Sequence, residues 1–118
     1  MKNLLVALFI AFCVKNTKAQ IVTTADSAIY YDSTLVTICD RVADTYLTKS
    51  NTTMLNFGNK YPNQSLTVVI FESDRQNFNV APEESFKDKR VCVTGKIKLY
   101  KGKPEIIIKS PNQIKVQE

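Results

Sequence analysis

A long two-faced strand followed by a tight reversal is the feature that most constrains this chain of 118 residues. From residue 90 to residue 100, apolar and polar side chains alternate, as in a strand with one buried face and one solvent-exposed face. Gly102 then allows the chain to reverse, and a more apolar run follows at 106–108. Gly95 interrupts the first strand, and a glycine there typically marks a bulge or the bend at a barrel corner. The pattern therefore predicts a bent β-hairpin that closes a small barrel.

Residues 1–19 have the three parts of a secretory signal: a positive start, an apolar run of 11 residues and a small-residue exit at Ala19. The apolar run is too short for a stable membrane span, which needs about 20 residues. Cys13 raises the alternative of a lipoprotein, but Phe12 stands where lipidation normally requires a small residue. We therefore predict export to the periplasm or beyond with cleavage after Ala19, and we do not expect lipid anchoring through Cys13.

The chain that remains after this cleavage is nearly neutral but unevenly charged. Residues 1–19 hold three of the 16 basic residues, so 13 basic residues face 11 acidic ones and the formal net charge falls from +5 to +2. Residues 20–86 hold four basic and eight acidic residues, whereas residues 87–118 hold nine and three. The positive charge is thus concentrated in the C-terminal hairpin. The remaining chain is long enough for one small domain.

Two cysteines, Cys39 and Cys92, remain in the exported chain. An even number of cysteines in a small exported protein favours a disulfide, and the alternative is a pair of buried reduced thiols. Both residues fall in the outward phase of their predicted strands, which would let the two sulfurs meet if those strands are neighbours.

The sequence carries no catalytic signature. The absence of histidine excludes Ser/His and Cys/His nucleophiles, and two cysteines alone cannot form a structural zinc site, so we expect no metal and no cofactor. Glu83 and Glu84 fit the start of a helix, where acidic residues are favourable, and Asp40 and Asp44 lie on or beside the first strand. We therefore expect a protein that is not an enzyme.

The periodicity predicts five strands with short helices between the third and the fourth. Residues 20–33 form a lead-in arm in which Tyr30 and Tyr31 pack on the barrel. The predicted strands are 34–47, 53–57, 66–71, 90–100 and the run from 104 to 108, and the predicted short helices are 74–78, capped by Ser73, and 82–86. This order is that of an all-β, five-stranded Greek-key OB-fold barrel, which we place at residues 34–116.

Four segments also resemble a known family. They are Leu55-Asn56-Phe57-Gly58, Tyr61-Pro62-Asn63, 67–71 and 93–104. They resemble the OB-fold modules of the tRNA-anticodon-binding-like group, most of all exported bacterial versions that stand alone or are appended to thermonuclease-like nucleases. The resemblance covers residues 34–114, implies the same OB fold and suggests a nucleic-acid-binding face. The nuclease domain itself has no counterpart in this sequence.

The candidate nucleic-acid-binding residues lie mainly on the basic hairpin. Four lysines could follow a phosphate backbone while one ring stacks on a base, and three residues on or after the second strand could add contacts. These residues are Lys96, Lys98, Lys101 and Lys103 with Tyr100, and then Asn56, Tyr61 and Asn63. The alternative for the lysines is a solvated strand face that discourages edge-to-edge pairing, and the alternative for 61–63 is a rigid loop.

The predicted function is weak, sequence-tolerant binding of single-stranded nucleic acid by an exported OB module. A net charge of +2, the absence of Trp and the lack of an obvious set of outward aromatic residues on the second and third strands predict a modest affinity. Two alternatives remain open. One is a structural or protein-interaction module that docks a protein partner through its strand edges, and the other is oligosaccharide or small-ligand binding.

Overall fold

The computed structural model describes residues 20–118, and the predicted signal segment lies outside the described residues. Seven strands and four short helical segments follow one another along the chain. The strands are β1 (Val22–Thr23), β2 (Leu35–Leu47), β3 (Thr53–Phe57), β4 (Leu66–Ile70), β5 (Arg90–Tyr100), β6 (Lys103–Ile107) and β7 (Ile114–Val116). The helices are α1 (Glu72–Arg75) and α2 (Pro82–Ser85), with 3-10 turns at Ala25–Tyr30 and Pro111–Gln113.

Five of these strands close into a barrel. Strand β2 pairs antiparallel with β3, β3 pairs antiparallel with β4, and β4 pairs parallel with β6. Strand β6 pairs antiparallel with β5, and β5 returns to pair antiparallel with β2. The short strands β1 and β7 add to the outer edges of β2 and β5. This topology confirms the predicted all-β, five-stranded OB fold.

The core is made almost entirely of branched aliphatic side chains, which suit a pleated and twisted barrel interior. Phe78 and Phe86, from the helical segment between β4 and β5, pack against this cluster with their rings edge to face. The fully buried side chains include Val36, Ile38, Val42, Leu55, Phe57, Leu66, Val68, Ile70, Val91, Val93, Ile106 and Ile108.

Strand β2 contains a β-bulge that reverses the direction of its side chains. Val42 pairs with Phe57 and Asp44 pairs with Asn56, so Ala43 is the additional residue. Before the bulge, even-numbered residues such as Val42 point into the core. After it, Asp44 and Tyr46 point outward.

Gly95 is not at a bulge. Pairing of β5 with β2 runs through this residue without a register shift, whereas on its other edge β5 pairs with β7 up to Val93 and with β6 from Ile97. A Cβ placed on Gly95 would lie 2.5 Å from Cγ2 of Ile106, which is fully buried. The glycine is therefore required by the close approach of a core side chain to the strand backbone.

The segment predicted as a lead-in arm takes part in the packing of the barrel. Strand β1 pairs with β2, and Ala25 and Ala28 in the following 3-10 turn are fully buried in the core. Tyr31 packs against the core as predicted. The same expectation for Tyr30 is wrong, because its side chain is 82% exposed.

The two short helices are held together by a partly buried ion pair. The prediction that Ser73 caps α1 is wrong, because this helix begins at Glu72 and has no side-chain cap. Helix α2 begins at Pro82, as predicted. Arg75 Nη2 donates to Glu83 Oε2 at 2.7 Å, and Thr53 Oγ1 on β3 donates to Glu83 Oε1 at 2.6 Å.

The environment of Glu83 shifts its proton affinity. Burial alone would raise the pKa of the Glu83 carboxyl, but the hydrogen bonds from Thr53, from its own backbone N–H and from Arg75, together with the charge of Arg75, hold the pKa below its ordinary value. Because the ionised form is the one these contacts favour, the cluster stabilises the fold at neutral pH.

The predicted disulfide is confirmed. Cys39 on β2 and Cys92 on β5 are direct register partners, and their sulfurs are bonded. The bond spans 53 positions of sequence and joins the two strands whose pairing closes the barrel. Such a long closed loop stabilises the fold chiefly by restricting the unfolded chain.

Candidate nucleic-acid interface

A groove of about 800 Å³ crosses the outer face of the barrel. Its floor is formed by the second half of β2 with β3, β4 and β6. Its sides are formed by the β5–β6 turn and by Tyr61, Pro62 and Gln64. The turn has two residues, Lys101 and Gly102, both with positive φ, as a type I′ hairpin requires. The hairpin that dominates the sequence thus forms one side of the groove.

Three tyrosine rings line this groove and are available to a ligand. Tyr46 comes from β2, Tyr61 from the β3–β4 loop and Tyr100 from the end of β5. Their exposed fractions are 58%, 70% and 56%, so each ring offers much of its surface to solvent. Exposed rings on separate elements around one groove are typical of surfaces on which bases or other flat groups stack.

Two lysines line the same groove. Lys101 Nζ lies 5.3 Å from the centroid of the Tyr100 ring, within cation–π distance. Lys103 Nζ donates a hydrogen bond of 3.1 Å to the backbone oxygen of Pro62. This bond ties the β3–β4 loop to β6 and leaves the ammonium group at the rim, since Lys103 remains exposed.

A polar row runs across the floor, one residue per strand. In register order it consists of Asp44, Asn56, Thr67 and Glu105, and Lys98 on β5 is the register partner of Glu105 outside the groove. Asn56 Nδ2 donates to Asp44 Oδ1 at 2.8 Å, and Thr67 Oγ1 donates to Asn56 Oδ1 at 2.9 Å. Asn56 and Thr67 are 3% and 5% exposed. They support the floor and do not present free polar groups to a ligand.

The floor carries negative charge and the rim carries positive charge. Burial raises the pKa of the Glu105 carboxyl, and the positive charge of Lys98 opposes this shift. Asp44 adds a second carboxylate to the floor, while Lys101 and Lys103 lie at the side. A phosphate backbone would therefore follow the lysines, and its bases would lie over the floor.

The structure brings together five of the eight predicted binding residues. Asn56, Tyr61, Tyr100, Lys101 and Lys103 all line the groove. Their grouping follows from the fold, because only β4 separates β3 from β6 in the sheet.

The other three predicted residues lie elsewhere. Lys98 faces Glu105 across the β5–β6 pair, and Lys96 is the register partner of Leu35 on the side of β5 that pairs with β2. Asn63 lines a smaller neighbouring cleft together with Arg41.

Sequence reasoning missed Tyr46 and Gln64, which also line the groove. Tyr46 is hidden from a simple alternation count by the bulge at Ala43. Gln64 lies in a loop, where periodicity gives no direction. Tyr46 could have been found if a bulge had been expected in the first strand and the aromatic residues after it had been considered.

Two further properties concern only the residues that the structure describes. Within 20–118, no group of three or more His, Cys, Asp or Glu residues is placed to hold a metal ion. In the same part of the chain, no helix has the length and apolar character needed to cross a membrane.

Comparison with known proteins supports the assignment of the fold and does not identify a function. No protein-family model matches the chain, and no curated protein is similar to it in sequence. Among solved structures, a putative aspartyl-tRNA synthetase from Leishmania major Friedlin matches with a TM-score of 0.52 and 13% identity, over 93% of this chain and 23% of that one. Aspartyl-tRNA synthetase from Entamoeba histolytica matches with a TM-score of 0.54 and 13% identity, over 95% and 28%.

A third similar structure is a single small domain. It is OBody AM1L10 bound to hen egg-white lysozyme, with a TM-score of 0.51 and 16% identity, over 91% of this chain and 98% of that one. The chain therefore spans about a quarter of the length of the two synthetases but nearly the whole of the OBody. At these identities the likeness establishes an OB-like fold.

Proposed function

We propose that this protein binds short single-stranded nucleic acid in the groove, weakly and without catalysis. The observation that carries the proposal is the presence of three exposed tyrosine rings and two lysines around one groove on an OB barrel. Rings supply sequence-tolerant stacking, and the lysines supply phosphate contacts. The floor carboxylates Asp44 and Glu105 keep the phosphates at the rim and limit the affinity.

The proposed place of action is outside the cytoplasm, in the periplasm or the medium. The N-terminal pattern of residues 1–19 and the Cys39–Cys92 disulfide both support this proposal, since disulfides persist in oxidising compartments. The mature protein would begin at Gln20, which intact-mass measurement of the exported protein can test. A lipid-modified chain that begins at Cys13 would contradict it.

The binding proposal is tested by fluorescence-anisotropy titration of a labelled oligothymidine at several salt concentrations. Replacing any one of Tyr46, Tyr61 or Tyr100 with Ala should weaken binding by about 1–3 kcal/mol, because each change removes one stacking surface. The matched control is Tyr30→Ala, which removes a still more exposed tyrosine that does not line the groove.

The lysines should act differently from the rings. Lys101→Gln together with Lys103→Gln should flatten the dependence of log K on log salt by about 0.7 per lost phosphate contact, whereas the tyrosine variants should leave the slope unchanged. Lys115→Gln, on β7, is the matched control. Absence of binding by the wild-type protein at low salt, with the fold intact by circular dichroism, would refute the proposal and favour the protein-docking alternative.

A further inference from the structure

We propose that the smaller cleft beside the groove is a phosphate-binding subsite, in which Arg41 and Lys60 bind one backbone phosphate of the strand whose bases stack in the groove. This inference rests on the proposed function and extends the same site by one ligand group. The cleft has a volume of about 510 Å³. It is lined by Arg41 and Ala43 of β2, by residues of the β3–β4 loop and by Asp88.

The cleft and the groove share a wall. Tyr61 lines both cavities, and of the two residues that follow it, Pro62 lines the groove and Asn63 lines the cleft. The bulge makes the same division in β2, since Ala43 lines the cleft and Asp44 lines the groove. A nucleotide whose base stacks on Tyr61 is therefore next to both cavities.

The shared wall is tied to β2 by backbone hydrogen bonds. Gly58 N, at the start of the loop, donates to Arg41 O at 3.2 Å. Further along the loop, Tyr61 N donates to Asp44 Oδ2 at 3.3 Å. A cavity whose walls are already held in place loses little conformational freedom when a ligand binds.

Positive charges are crowded at this end of the sheet. Arg41 on β2 and Arg90 on β5 are direct register partners, so their side chains project from the same face, and both residues are exposed. Two like charges directly opposite each other are unfavourable, and Lys60 adds a third positive charge in the cleft. Among the described residues that line the cleft, one is acidic, Asp88. The arrangement therefore favours an anion.

Asp88 does not satisfy this positive charge. Its Oδ1 lies 3.6 Å from Arg41 Nη2, which is beyond hydrogen-bond distance, and both side chains are more than half exposed. Such an ion pair contributes little, whereas a phosphate can accept two parallel hydrogen bonds from the guanidinium. Asn59 and Asn63, exposed in the same cleft, offer amide N–H donors to the remaining phosphate oxygens. A phosphate should therefore displace Asp88.

The test is fluorescence-anisotropy titration of a labelled oligothymidine of about 12 nucleotides at several salt concentrations. Arg41→Gln combined with Lys60→Gln should weaken binding about tenfold at low salt, the value of one charge-assisted hydrogen bond. The same variant should flatten the dependence of log K on log salt by about 0.7, because one phosphate contact is lost. Lys96→Gln combined with Lys109→Gln removes two exposed charges outside the cleft and the groove, and should keep both wild-type values.

Replacing Asp88 with Asn should change the affinity in the opposite direction. Asp88 has a φ of 62°, in the left-handed region that Asn also tolerates, so the local backbone is kept. Without the competing carboxylate, oligothymidine should bind about threefold more tightly. In the variant that already carries Arg41→Gln and Lys60→Gln, the same substitution should have no effect, because the cations for which Asp88 competes are gone.

The outcomes separate the two proposals, once circular dichroism shows that each variant is folded. Wild-type affinity and salt dependence in the Arg41→Gln, Lys60→Gln variant would overturn the phosphate subsite and leave the proposed function in place. A gain from Asp88→Asn that persists in that variant would overturn the competition between Asp88 and phosphate. Absence of binding by the wild-type protein at low salt would overturn the proposed function, and the subsite with it.

Discussion

Replacing Gly95 with Ala tests whether a core side chain is what requires a glycine in β5. The new Cβ would lie 2.5 Å from Ile106 Cγ2, whereas two carbon atoms in contact are separated by about 3.5–4.0 Å. One of the two groups must therefore move by about 1 Å. Ile106 is fully buried in a close-packed barrel, so little space is available for that movement.

The expected cost follows from two opposing effects. Overpacking of this kind destabilises a protein by about 1–3 kcal/mol. Alanine in a strand interior regains about 0.5–1 kcal/mol relative to glycine, because it restricts the unfolded chain. Gly95→Ala should therefore lower the free energy of unfolding by about 1–2 kcal/mol, measured by urea unfolding with the disulfide intact.

Two second-site variants separate the close contact from a general loss of packing. Ile106→Leu removes the Cγ2 branch at nearly constant volume, so the double variant with Gly95→Ala should be more stable than the sum of the single changes by about 1–2 kcal/mol. Ile106→Val keeps Cγ2, so its combination with Gly95→Ala should be additive within about 0.5 kcal/mol. Additivity in both pairs, or a stabilising Gly95→Ala, would refute the reasoning.

Three other predictions follow from charges and from the cross-link. Glu83→Gln should lower the free energy of unfolding at neutral pH by about 1–3 kcal/mol, and the difference from wild type should shrink as pH falls below the ordinary pKa of 4.5, because a lowered pKa stabilises only the ionised state. Burial raises the pKa of Glu105, so this carboxyl takes up its proton above the ordinary value of 4.5, and a labelled oligothymidine should bind more tightly as pH falls from neutral toward that value. Glu105→Gln should bind more tightly at neutral pH and lose that dependence. Cys39→Ala combined with Cys92→Ala should cost about 4 kcal/mol by the chain-entropy estimate for a loop of 53 positions, and a urea midpoint that hardly moves would contradict it.

The barrel was predictable from the sequence because its strands are alternating or continuously apolar runs and its turns carry glycine, proline or polar residues. The succession of strands along the chain and the β5–β6 hairpin follow from local patterns of this kind. Pairing of β5 with β2 is long-range and was expected from the OB-fold topology, which is what placed Cys39 opposite Cys92.

The groove was only partly predictable, for two physical reasons. The bulge in β2 changes which side of the strand Tyr46 occupies, and a bulge is a tertiary feature that alternation alone does not reveal. The β3–β4 loop is hydrogen-bonded to Asp44 and Thr67, and Asn56, which was predicted to contact ligand, is buried in a network with these two residues. Loop conformation depends on packing that no local pattern encodes.

The bulge at Ala43 separates two kinds of selection that would otherwise act on the same positions of β2. If Ala43 were instead paired as an ordinary strand residue, Asp44 and Tyr46 would keep the phase of Val42 and point into the barrel. With the bulge, one continuous strand contributes to the core over its first half and to the groove over its second. Substitutions at Asp44 and Tyr46 can therefore change the groove while the core is untouched. Deletion of Ala43 should remove the bulge and keep Tyr46 on the groove side, because Asp44 would then follow Val42 in ordinary alternation.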